Sequence, residues 1–365
     1  MHKTDKLTRI LFTALALYLI VLLLRHPALS LEYASTGLNL WLTKMVPTLL
    51  PFMILSGIMI RMDLTENFVT LLHPLLNKLY GTSKNGSYVI IMGFLCGFPM
   101  GARIVGELYE SGRLSREESS KLLYFCNNIG PIYFLSYVVP VLAIGKPLVP
   151  FLLMYGIPLL YGLVLCRLVP FFHGHTRYRL TLQYRHNARQ NNTVAHANRN
   201  ITSDVSPTAA FYQPSQTTRM PLLAAIDASV LSGLVGIAKL GGYMVFFNLL
   251  NIVFVPFRYA STSLLSLYQC ILEITSGIDH SGQSLYYAIL ILLPFGGFSC
   301  IAQTYSMISR TDLSIRSYIF HKVVQTALTA LCYFAIFLFD FLFYPSLTFL
   351  SLFQHSLLCF VKCSC

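Results

Sequence analysis

Five stretches of this chain, 7–24, 130–145, 148–172, 233–257 and 323–344, are apolar over lengths close to a membrane crossing. A helix needs about 20 predominantly apolar residues to span the hydrocarbon of a bilayer. A water-soluble core has no use for so many runs of this kind. The sequence therefore predicts an all-α, polytopic transmembrane protein whose first partner is the lipid bilayer. Composition agrees: 55% of the 365 residues are hydrophobic and 11% are charged, against roughly 25% charged in a soluble domain.

The formal charge of +12 is concentrated in one place. Between residues 173 and 219, Arg177, Arg179, Arg185, Arg189, Arg199 and Arg219 face a single acid, Asp204. The positive-inside rule reads this loop as cytoplasmic and in contact with lipid headgroups, with no nucleic acid as partner. It divides the chain into a first transmembrane half (1–172), the basic loop (173–219), a second transmembrane half (220–344) and a hydrophobic tail (345–365). Lys3, Lys6 and Arg9 precede an apolar run that ends at Arg25-His26-Pro27 without a small-residue cleavage site, so an uncleaved first span is expected.

Nine cysteines are scattered without a CxxC pair or zinc spacing, and Cys96, Cys126, Cys166, Cys270, Cys300 and Cys332 sit in apolar surroundings as free thiols. Cys359, Cys363 and Cys365 lack the spacing for prenylation, because Lys362 holds the required position. The glycosylation patterns at Asn191 and Asn200 are accidental if their loop is cytoplasmic. No HExxH, GxSxG, GxxxxGK or paired intramembrane carboxylates occur. The reading is of a protein that is not an enzyme and needs no cofactor or metal.

The stretch GFLCGFPMGAR, residues 93–103, is apolar enough for a membrane yet carries three glycines, a proline and an arginine. Irregular backbone at membrane depth is tolerated only where protein packs around it or where it lines a watery cavity. The stretch is thus expected to be the tip of a re-entrant hairpin or the gap between two half-helices. Its freed amides at Gly97, Phe98, Pro99, Met100 and Gly101 would hold an anionic or polar small molecule near a helix N-terminus. Glycines four apart also let helices approach closely, an alternative that Pro99 weakens.

Further along, Ser115-Arg-Glu-Glu118 has capping-box spacing, which predicts a helix from Arg116. Gly130-Pro131 should break or kink that helix. Asn127 and Asn128 beside the break can bond a ligand or tie two helices together. Arg103 suits a carboxylate if it faces a cavity, or snorkels if it lies near the interface.

The halves share a plan. Each has a span interrupted by Pro47 and Pro51 or by Gly241-Gly242, and each has a glycine-rich break later. Gly97-Phe98-x-x-x-Ala102 matches Gly297-Phe298-x-x-x-Ala302, with Ser299 and Gln303 following in the second half. Paired interruptions of this kind point to a transporter's binding site. Lys239 and Asp340 are further ionisable residues, read more readily as interfacial than as part of the site.

The segment GFPMGARIVGELYESGRLSREESSKLLYFCNNIGP resembles the central motif of the family of sporulation integral membrane proteins called YlbJ. There, a G-(Y/F)-P-x-G-A-(K/R) segment precedes a C-N-N-x-G-P segment. WLTKMVPTLLPFMILSGIM resembles the opening span of the wider nucleoside-recognition, or Gate, superfamily. The resemblance implies two repeated halves with re-entrant or broken helices, similar in plan to concentrative nucleoside transporters. It also implies movement of dipicolinate, a flat pyridine dicarboxylate, from the mother cell across the outer forespore membrane for the spore cortex. Arg103 and exposed amides would then meet a carboxylate, Asn127 and Asn128 an oxygen or the ring nitrogen, and Phe98 the ring. A non-transporting scaffold for the spore envelope and a nucleoside permease stay open as alternatives, as does a homo-oligomer.

Overall fold

A computed structural model describes residues 2–168, 221–257 and 262–343. The basic loop, Asp340's side chain and the cysteine-bearing tail lie outside the described residues. Those described form helices and short connections, without a strand. Six helices are long and apolar enough to cross a membrane, or up to seven with a bent pair counted as one span. The chain is an all-α polytopic membrane protein.

Helix α1 (His2–Arg25) is followed by α2 (Pro27–Leu40) and α3 (Val46–Arg61). A π-helical turn, Trp41–Met45, fuses the last two into one span of 35 residues. The interruption expected at Pro47 and Pro51 is therefore absent. Pro47 falls in the first turn of α3, where its missing N–H is tolerated, and the π turn just before it shifts the hydrogen-bond register.

Short helices α4 (Thr65–Val69) and α5 (His73–Tyr80) lead to α6 (Lys84–Cys96), which starts where the Ser83 hydroxyl accepts from the Gly86 amide at 3.0 Å. It stops at Gly97, whose φ of +92° favours glycine, and a cis Phe98–Pro99 bond follows. Helix α7 (Met100–Glu110) then begins.

A methyl added at Gly93 or at Gly101 would collide with the same atom, the Cys126 carbonyl oxygen. Eight residues of straight helix would separate those positions by about 12 Å. The chain thus folds back at 97–99 as a hairpin, whose two open ends share one face. Asp63–Arg113 (3.1 Å), Glu66–Lys84 (3.3 Å) and Lys121–Glu117 (3.0 Å) mark that ion-paired face. Thirteen residues of α6 reach about 20 Å inward, past the middle of a bilayer about 30 Å thick.

Helix α8 (Arg116–Cys126) starts at the predicted residue, with Ser115 Oγ accepting from Glu118 N at 3.2 Å. The reciprocal half of the capping box goes elsewhere. Glu118 Oε1 accepts from the Ser83 amide at 2.7 Å, joining the starts of α6 and α8. The helix breaks at 127–130, as expected, then resumes as α9 (Pro131–Tyr133), a π turn at Phe134–Val138 and α10 (Val139–Val141). Helix α11 (Leu148–Leu163) returns to the ion-paired face, where Arg167 donates to the carbonyls of Asn77 (2.8 Å) and Leu79 (3.0 Å).

In the second half, α12 (Leu222–Leu249) is continuous, so Gly241-Gly242 does not interrupt it. Gly241 instead makes room for the Trp41 indole, whose Nε1 donates to the Ile237 carbonyl at 2.8 Å. Lys239 points outward, exposed. Small residues seat α12 on α3: Gly57 lies against Ser229, and Gly233 against Leu50 and Ile54.

Next come α13 (Thr262–Leu272) and α14 (Ile274–Ser281), a 3-10 turn at Gly282–Leu285, α15 (Tyr286–Leu292), α16 (Gly297–Ile308) and α17 (Ile315–Phe343). Gly277 packs on Cys270, so α13 and α14 form a second hairpin with Glu273 at its tip. A methyl on Gly297 would lie 3.3 Å from the Ile274 amide nitrogen, so the chain leaves this tip along α14 and comes back along α15. Helix α16 then runs to the ion-paired face, where Asp312 accepts from Tyr109 (2.6 Å) and pairs with Arg116 (2.6 Å). The Tyr109 hydrogen bond, with Arg116 beside it, holds the Asp312 carboxyl below the usual carboxylate range.

The halves are inverted repeats, but not in the register that the Gly-Phe match suggests. Each half contains a hairpin followed by a broken span. The first hairpin opens to the ion-paired face and the second to the opposite one. The counterpart of the Gly97 tip is Glu273, and the counterpart of the Asn127–Gly130 break is Leu293–Gly296. Gly97 (φ +92°) and Gly297 (φ +82°) each stand at the approach to a helix N-terminus, and that shared backbone demand explains the shared dipeptide.

Replacing Gly93 with alanine forces a methyl into the Cys126 backbone and should cost about 1–3 kcal/mol. Thermal unfolding in detergent should show a lower midpoint for Gly93→Ala and an unchanged one for Gly156→Ala, a position with open space around it.

Candidate functional site

The four interruptions meet. Gly97 sits against the Gly130 amide, a methyl added at Gly296 would lie 3.1 Å from the Phe98 ring, and Gly297 lies over the carbonyls of Cys270 and Ile271. Between them is a small cavity of about 50 Å³ with an open mouth. Each repeat contributes to its wall: Gly97 and Phe98 from the first tip, Ile129 and Gly130 from the first break, Glu273 and Thr275 from the second tip, and Gln303 from α16. Phe52 and Leu49 on α3, with Leu240 and Met244 on α12, close the apolar side.

Glu273 is 2% exposed. Its carboxylate accepts from the amides of Thr275 (3.1 Å) and Ser276 (2.7 Å), capping α14. The cap and the positive helix end offset its charge. Gln303 spends one donor on Ser299 Oγ at 3.0 Å and keeps its other polar capacity at the cavity wall.

Of the residues chosen from sequence, Gly97, Phe98, Gly130 and Gln303 line the cavity. Pro99, Met100, Gly101, Gly297 and Ser299 are buried behind it, Pro131 is partly buried, and Phe298 is 47% exposed on the outside. Arg103 is buried too, but it is turned away from the cavity wall. Its Nε donates to Glu107 Oε1 at 2.8 Å and its Nη2 to Ser232 Oγ at 2.8 Å, which docks the first hairpin on α12. Its Nη1 makes no hydrogen bond and faces Gly236. Glu107 already occupies the guanidinium edge that the sequence reading gave to a substrate carboxylate.

Asn127 and Asn128 are fully buried and consumed by the fold. Asn127 Oδ1 accepts from the Ala102 amide (3.3 Å), and its Nδ2 donates to Thr304 Oγ1 (2.9 Å) and the Tyr318 hydroxyl (3.0 Å). Asn128 Nδ2 donates to the Phe125 carbonyl at 2.6 Å, and its Oδ1 accepts from Lys322 Nζ at 2.7 Å. Of the two readings left open for this pair, the geometry matches the tie between helices.

Sequence reasoning missed Glu273 and Lys322, both almost completely enclosed. The signal for Lys322 was present. Tyr318, Lys322, Gln325 and Thr329 recur at helical spacing and form one buried polar stripe along α17. No cluster of His, Cys, Asp or Glu among the described residues could hold a metal ion.

Compared with known proteins, the chain is 23% identical over 344 residues to the sporulation integral membrane protein YlbJ of Bacillus subtilis (strain 168). The match covers 88% of this chain and 81% of that protein. No protein-family model and no solved structure matches.

Removing the Asn127 amide leaves the Ala102 amide, Thr304 and Tyr318 short of a partner in a dry interior. Asn127→Ala should destabilise the protein by about 1–3 kcal/mol, seen as early thermal unfolding in detergent. A wild-type midpoint would contradict the tie.

Proposed function

We propose that this chain, which belongs as a distant member to the YlbJ family of sporulation integral membrane proteins, is a transporter of a small aromatic carboxylate. Dipicolinate is the substrate we assign, moved across the outer forespore membrane to support cortex formation. One observation carries the reading: two inverted hairpins and two broken spans converge on a cavity inside a membrane-spanning body. A protein that only scaffolds an envelope has no need of interrupted backbone around a cavity. Inverted repeats with discontinuous helices at their interface are the recurring architecture of secondary transporters.

The cavity wall suits a flat ring with polar substituents. Phe98, Phe52 and Tyr133 offer aromatic faces, while Gln303 and Thr275 offer polar groups. The Thr275 and Ser276 amides hold the carboxylate of Glu273 on the start of α14, so its oxygens are already occupied by the fold. Under this reading Gly97, Phe98, Gly130 and Gln303 contact the substrate. Asn127, Asn128 and Arg103 hold the hairpin and the break in place.

The test is uptake of labelled dipicolinate by proteoliposomes containing the purified full-length chain, with and without a proton gradient. Uptake should exceed that of protein-free vesicles and fall when unlabelled dipicolinate is added, while labelled nucleoside should not enter. Uptake equal to that of empty vesicles under both conditions would overturn the reading and favour the scaffold.

A further inference from the structure

Lys322 is fully buried in α17, within a membrane-spanning segment. Its ammonium donates to two neutral oxygens, Asn128 Oδ1 at 2.7 Å and Gln325 Oε1 at 3.4 Å. Among the described residues every ion pair belongs to another cation: Lys84, Arg103, Arg113, Arg116 or Lys121. The ammonium lies at the C-terminal end of α8. There, Asn128 and Gln325 bond the carbonyls of Phe125 and Tyr124. A helix end supplies about half a charge, which is less than a counter-ion. An enclosed cation without a counter-ion is costly, and inside a membrane protein it marks the route of an ion or solute.

Two aromatic faces stand where an anion would. The ammonium lies 5.1 Å from the Phe98 ring centroid and 5.8 Å from that of Tyr318. Phe98 also lines the cavity, so its ring links the ammonium to the wall of that space. Phe98 sits at a hairpin tip, between Gly97 at φ +92° and Pro99. It touches the Gly296 position, where no side chain blocks it.

We propose that Lys322 is a carboxylate-binding site closed by the Phe98 ring. When an aromatic carboxylate fills the cavity, Phe98 turns aside and the carboxylate takes its place at the ammonium. Asn128 and Gln325 keep Nζ aimed at that point. A charge-assisted hydrogen bond to a carboxylate is stronger than the face of a phenyl ring, so the exchange favours the bound state. Arg103 cannot serve in this way, because Glu107 already neutralises it. The proposal rests on the transport reading and names the counter-charge for its substrate.

Binding, measured apart from transport, tests it. Purified full-length protein in detergent is titrated with pyridine-2,6-dicarboxylate and with the uncharged diamide of the same ring, by calorimetry and by thermal shift. Wild type should bind the dicarboxylate at least ten-fold tighter than the diamide. Lys322→Met should lose that preference, and Lys322→Arg should recover part of it. A Lys322→Met protein that still prefers the dicarboxylate overturns the site, as does wild type that binds neither ligand. If Lys322→Met misfolds, unchanged preference in Lys322→Gln overturns the site in its place. Charge-selective binding without uptake would sink the transport reading alone, and uptake undiminished in Lys322→Met would sink the site alone.

Discussion

The amide of Asn127 is the contact on which this architecture turns. Backbone broken at membrane depth has no water to satisfy it, so every freed donor needs a partner from the protein. Asn127 supplies the oxygen for the first turn of α7 and spends both its donors on Thr304 and Tyr318. One side chain thereby joins the first hairpin, the first break, α16 and α17. The Tyr155 hydroxyl secures the same break from the other side by donating to the Ile129 carbonyl at 3.0 Å. With both in place, the glycines at 93, 97 and 101 can approach the break closely enough to leave no gap behind the cavity wall.

Much of the first half was legible in the sequence because its breaks are made by residues that break helices anywhere. Gly97, Pro99, Gly130 and Pro131 announce themselves, and Ser115 announces the start of α8. The second hairpin stayed hidden for a physical reason: its tip is made by a capping side chain, not by a glycine or proline. Glu273 ends α13 and starts α14 by turning its own carboxylate onto the Thr275 and Ser276 amides, and CILEITSG contains no proline to mark the turn. The Gly-Phe match misled because it records a local backbone need. The proline and glycine pairs at 47, 51, 241 and 242 misled in the opposite sense, since a π turn and an indole accommodated them without a break. Lys322 was overlooked as the edge of an apolar run, because the partners of its polar stripe come from distant parts of the chain and meet only in the folded protein.

The two halves have diverged in what they bring to the centre. Helices α11 and α17 occupy matching places after the broken spans and touch each other, Tyr161 meeting His321 Nδ1 at 2.6 Å. Helix α11 presents Phe151 and Tyr155, which pack with Phe134 in a cluster of rings. Helix α17 presents Lys322, Gln325 and Thr329. One copy thus supplies a rigid aromatic buttress and the other a polar, chargeable rail, while the hairpins they support keep the same outline.

Because the repeats thread the membrane in opposite senses, each hairpin and each broken span has a counterpart that runs the other way. The centre is therefore reached from each side by the same kinds of element, a hairpin and a broken span. What distinguishes the two faces among the described residues is side-chain chemistry: the exposed ion pairs gathered at one surface and the fully buried Lys322 carried by a single copy.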